Sequence, residues 1–116
     1  MRLAYAHEAV LILDGDERAP GGAITTALCG ELAHEPPCPH AAHHTAAARE
    51  GDELRLRVLF AAPPDRVDEI RGRIDAALGA GTFTGPEGGT TRWQTLRSGC
   101  VPIAVGDREH ARRLLK

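Results

Sequence analysis

Glu53-Leu-Arg-Leu-Arg-Val-Leu-Phe60 decides the fold class. Leu54, Leu56, Val58 and Phe60 alternate with Arg55 and Arg57. A period of two sends one set of side chains into a core and the other outward, which is the pattern of a half-buried strand. Just before it, Gly51-Asp52 supplies turn residues, so residues 44–50 and 53–61 are expected to form a hairpin. Ala46, Ala47 and Ala48 are poor strand formers, and a short helix over 45–49 is the competing reading.

Working back from the hairpin, Ala9-Val-Leu-Ile-Leu13 is the core of a strand over residues 3–13, closed by Asp14-Gly15-Asp16. Ala23-Ile-Thr-Thr-Ala-Leu-Cys29 carries β-branched residues and is expected as a second strand, paired antiparallel with the first. Working forward, Pro63-Pro64-Asp65 opens the best helix, over 65–78. Asp65 is the expected N-cap, and Asp68 and Glu69 lie in the first turn where the helix dipole favours them. Val67, Ile70, Ile74, Ala77 and Leu78 form one apolar face, and Gly79 and Gly81 end the helix. The charges of Arg66, Arg71, Arg73 and Asp75 read as a solvated face. Gly85 to Gly89 is a loop. Trp93–Leu96 and Val101–Val105 are expected as short strands interrupted at Ser98-Gly99, and a final helix follows Gly106-Asp107.

The order of elements gives an α+β domain: an antiparallel sheet of four to five strands, with two helices packed on one face. The chain of 116 residues is read as a single domain over 1–116, long enough to bury a core without a metal as a folding staple. Its aromatic residues are only Tyr5, Phe60, Phe83 and Trp93, so Val, Ile, Leu and Ala must build that core. A net charge of −2 argues against a nucleic-acid module, because phosphate binding needs a basic surface. No apolar run is long enough to span a bilayer. His7 and Glu8 interrupt the apolar N-terminus and no cleavage site follows, so a cytoplasmic protein with reduced thiols is expected.

Against this background Cys29 to His44, C-G-E-L-A-H-E-P-P-C-P-H-A-A-H-H, stands apart. It holds two of the three cysteines, four of the six histidines and three of the eight prolines. Pro36, Pro37 and Pro39 make it a loop with extended pieces. Thiolate and imidazole are the ligands of zinc and copper, and zinc favours four donors in a tetrahedron. The stretch therefore implies a small metal-binding protein, with zinc first and copper second. No standard zinc-finger spacing is present.

Geometry orders the candidates. A straight polyproline run would hold His34 and Cys38 about 12 Å apart, so sharing one ion requires a turn at Pro36-Pro37. His43 and His44 are neighbours and point to opposite faces of an extended chain. The most economical site is His34, Cys38 and one or both of His43 and His44, with Cys29 next. His40 is an outer or solvent-exposed residue. Four protein ligands would give a closed structural site; three plus water would give a small metalloenzyme, with Glu35 as general base. A metal-free protein-interaction module is the alternative from another class, in which the loop or an exposed sheet meets a protein partner or makes a homo-oligomer. Cys100 as a nucleophile would need His7 or His110 as its base, and the structural role is favoured for it.

Overall fold

The computed structural model describes residues 1–29 and 41–116. Five strands and three helices follow in the order β1 (Leu3–Asp14), α1 (Ala19–Cys29), β2 (Ala42–Glu50), β3 (Glu53–Ala62), α2 (Val67–Gly79), β4 (Thr82–Thr84), β5 (Thr90–Val101) and α3 (Arg108–Leu114). The strands form one antiparallel sheet in the order β2-β3-β1-β5-β4. The α+β class and the antiparallel sheet are as expected; among the described residues the helices number three, not two, and the two expected ones, α2 and α3, lie on opposite faces of the sheet.

The topology follows from two interleaved units. In β1-α1-β2 the chain steps over the position that β3 fills, and in β3-α2-β5 it steps over β1. This is the split β-α-β (ferredoxin-like) arrangement, which by itself carries no function. Both crossover helices pack on the same face. There Ile24 and Leu28 of α1 and Ile70, Ile74 and Leu78 of α2 meet Leu54, Leu56, Val58 and Phe60 of β3 and Ala9, Leu11 and Leu13 of β1. Each of the large side chains buried here contributes about 1.5–3 kcal/mol. The reverse face carries Ala6, Leu59 and Ala61, all buried, and α3 packs there through Ala111.

Three local expectations are corrected. Residues 23–29 are helix, not a strand paired with β1; β1 pairs with β3 and β5 instead. Isoleucine and threonine favour strands only weakly, and burial overrides them: Ala19, Ala23, Ile24 and Leu28 recur as one helical stripe against α2. Pro20, in the first turn, is where a helix accepts proline. Asp65 does not cap α2. It lies in a single 3-10 turn, Pro64–Arg66, and α2 starts after Arg66 without a side-chain cap.

The third correction concerns β5, which runs unbroken through Ser98-Gly99 and ends at Val101, before Pro102. Val10 pairs with Arg97 and Leu11 with Thr95, so Leu96 is an extra, bulged residue, 52 % exposed. The irregularity is absorbed as a bulge because β1 offers partners along its whole length. The β2–β3 hairpin turns at Gly51-Asp52 as expected, with Gly51 at φ 63°.

Candidate functional site

α1 and β2 meet where the Cys/His stretch leaves the helix and enters the sheet. Cys29 is the last residue of α1, and β2 begins at Ala42. His34, Glu35, Cys38 and His40 lie outside the described residues. Because β2 is extended, its consecutive side chains alternate. His43 pairs with Phe60 and shares its face, towards the core and α1; its Nε2 lies 3.1 Å from Thr25 Oγ1. Thr25 precedes Cys29 by four residues, one turn of the same helix. His44 pairs with Leu59 on the reverse face. No turn of the backbone brings the two imidazoles together, so the structure separates them. Among the described residues no three His, Cys, Asp or Glu side chains converge as a ligand set.

His44 instead stacks on His110 of α3, with ring centroids 3.8 Å apart and planes inclined by 22°. Burial pushes the His44 imidazole below its ordinary range. His110 and Arg113 push the same way, and Asp107 opposes them. Asp107 also accepts a hydrogen bond from Arg57 Nη1 at 3.2 Å, and Arg57 reaches Glu8 at 3.5 Å.

A second cluster, unforeseen from sequence, surrounds His7. This residue lies at an inward position of β1 and is 1 % exposed. Arg71 Nη1 donates to His7 Nδ1 at 2.9 Å and to the Ala6 carbonyl at 2.9 Å. A guanidinium has no lone pair to offer, so Nδ1 must be the acceptor and the proton sits on Nε2. Nε2 then donates to Ser98 Oγ at 2.8 Å, with Asp75 Oδ1 at 3.2 Å. Ser98 Oγ–H donates onward to Asp75 Oδ1 at 2.6 Å. Burial holds the imidazole below its ordinary range, Asp75 opposes that, and Arg71 reinforces it.

Serine, histidine and aspartate are thus in contact, but not as a nucleophilic triad. In a triad the carboxylate holds one ring nitrogen and the other takes the serine proton. Here serine and carboxylate share Nε2, which already carries a proton. Cys100 is the cross-strand partner of His7, yet the histidine's lone pair is committed to Arg71. The cluster ties α2 to the sheet. Its sequence signal was the phase of β1: His7 falls in register with Tyr5, Ala9 and Leu11. Arg71 and Asp75, four apart on α2, have the sequence pattern of a solvated face, yet both turn towards β1.

A cleft of about 390 Å³ opens between the β1–α1 turn and the β4–β5 hairpin, lined by Phe83, Pro86 and Thr91 with Asp16 and Arg18 at its rim. Asp16 is held below the usual carboxylate range by hydrogen bonds from the Arg18 side chain and backbone. The pair is an exposed local turn and leaves the cleft without a buried charge. No helix among the described residues is long and apolar enough to cross a membrane. Compared with known proteins, the chain matches no family model, no curated protein and no solved structure.

Proposed function

We propose that the protein is a small metal-binding protein whose ion, zinc in the first place, is held by Cys29, His34, Cys38 and His43. The observation that carries the reading is the 3.1 Å contact between His43 Nε2 and Thr25 Oγ1. It draws the first imidazole of β2 against the last turns of α1, the helix that Cys29 ends. Metal-bound imidazoles keep their other ring nitrogen hydrogen-bonded, and Thr25 supplies such a partner at Nε2; ligation through Nδ1 would replace that nitrogen's 3.4 Å contact with the Ala41 carbonyl. His44 leaves the set because it faces the other side of the sheet against His110. Two thiolates and two imidazoles make a closed tetrahedral site, of the kind zinc occupies in a structural role, with copper the second candidate. With three protein ligands and a water, the same ion would activate hydroxide and Glu35 would be its base.

The test is elemental analysis of protein purified without a His tag. Stoichiometric zinc or copper that is lost in Cys38→Ala, His34→Ala and His43→Ala, and kept in His44→Ala, supports the site. Wild-type protein that is metal-free and fails to take up added zinc or copper overturns it. Metal kept in His43→Ala and lost in His44→Ala overturns the choice of histidine.

A further inference from the structure

The two edges of the sheet are built differently. At one edge β4 is three residues long, one of the ways in which proteins keep an edge from pairing with another chain. At the other edge β2 is nine residues long and, among the described residues, pairs with β3 alone. Its register with β3 is unbroken, so no bulge twists it away, and it carries neither proline nor lysine. Its arginine does not guard the edge. Arg49 folds back on its own chain, donating from Nε to the Gly51 carbonyl at 3.0 Å, from Nη1 to Gly15 at 2.9 Å and from Nη2 to Leu13 at 3.2 Å. Ala46 to Glu50 are exposed. The result is an exposed, small-residue edge whose arginine is drawn inward.

The hairpin sets which backbone groups that edge presents. Glu50 and Glu53 flank the two-residue turn at Gly51-Asp52, so they exchange both backbone hydrogen bonds. Ala48 and Ala46 therefore also face β3, whereas Thr45, Ala47 and Arg49 direct N–H and C=O outward.

We infer that β2 pairs antiparallel with β2 of a second copy of this chain, about a two-fold axis at Ala47. In that register Ala46 lies opposite Ala48 of the second copy, with no bulk to keep the strands apart. Glu50 lies opposite His44 of the second copy, a carboxylate against an imidazole, and symmetry supplies the pair twice. Centring the axis on Ala46 would set Glu50 against Ala42 instead, with no hydrogen-bonding group to meet the carboxylate, so the His44–Glu50 pair selects the first register. The product is a continuous ten-stranded sheet across two copies. The buried area is at the small end for a specific interface, so the dimer depends on concentration.

Sedimentation velocity from micromolar to millimolar protein, with hydrogen exchange read at single amides and in excess chelator, tests the inference apart from any metal site. Dimer formation on concentrating the protein is expected, with protection gained at the Ala47 and Thr45 amides. Ala47→Pro removes an amide that points away from β3 and has no backbone partner among the described residues, so a folded monomer is expected. Ala46→Glu leaves the backbone intact, brings carboxylates together near the axis, and is expected to weaken the dimer at least tenfold. A chain that stays monomeric at millimolar concentration overturns the inference, as does a dimer that both variants leave intact or one without protection at Ala47.

Discussion

His44 stacks on His110 with ring centroids 3.8 Å apart, joining the edge strand β2 to the last helix α3. The folded state holds the His44 imidazole below 6.5, its ordinary value, and does the same to His7. Below that value the unfolded chain binds more protons than the folded one. Stability is therefore full above about pH 6.5 and falls as the pH drops through the lowered folded values. Around His44 the facing groups are His110, Asp107 and Arg113, with Arg57 bonded to Asp107; only Asp107 favours the charged ring. Denaturant midpoints at about pH 7.5 and about pH 5 should show the loss, and His44→Gln should shrink it. A midpoint that rises on acidification contradicts the assignment.

His7→Ala should be among the more damaging single changes in the sheet. It opens a cavity at a fully buried position and takes the acceptor from Arg71, whose guanidinium also lies over Phe60. Cavity and unmet donor together cost about 2–4 kcal/mol, read from urea unfolding. The variant should also lose part of the acid sensitivity described above, an outcome that a purely steric defect would not produce.

Ser98 offers a test of the tautomer. With the proton on Nε2, no imidazole nitrogen is open to take the Ser98 proton, and the Asp75 carboxylate that accepts its hydrogen bond is too weak a base to activate the oxygen. Incubation with a fluorophosphonate probe should leave the intact mass unchanged. A single adduct on Ser98 would show that the ring had switched tautomer and that the arrangement is reactive.

Two glycines should respond to alanine with opposite signs. Gly81, at φ +70°, follows α2, and a Cβ there would meet the Trp93 carbonyl oxygen at 3.0 Å; the Trp93 N–H also donates to the Gly81 carbonyl at 2.9 Å. Gly81→Ala should destabilise by about 1–3 kcal/mol. Gly72 lies inside α2 with open space around its Cβ position, and Gly72→Ala should stabilise by about 0.5–1 kcal/mol. Thermal unfolding of the two variants side by side checks both signs.

The elements that sequence made legible are those whose period and burial agree. β1, β3 and α2 each show a clean apolar repeat, and each is central in the fold. α1 was illegible because Gly21, Gly22, Ile24, Thr25 and Thr26 weaken the local helical preference, and only its packing against α2 settles the matter. The candidate site divides in the same way. That His43 and His44 oppose one another follows from any extended backbone. Which of them faces α1 depends on the register with β3, and register is a tertiary property. The His7 cluster needed three elements brought together, and no local pattern announces that.

Thr25 gives the sharpest test of the metal reading that leaves its proposed ligands untouched. Its hydroxyl is the partner of His43 Nε2, and valine matches its β-branched shape without the oxygen. Losing the hydrogen bond removes one of the contacts that orient the ring, beside that of Nδ1 with the Ala41 carbonyl, and lowers its basicity as a ligand. Thr25→Val should therefore weaken zinc binding by about 10–100-fold, measured by competition with a chromophoric chelator. The metal-free variant should unfold within about 1 kcal/mol of the metal-free wild type, because the exchange removes a single side-chain hydrogen bond. Unchanged affinity would mean that Thr25 does not orient the ring, and that the contact between α1 and β2 is packing alone.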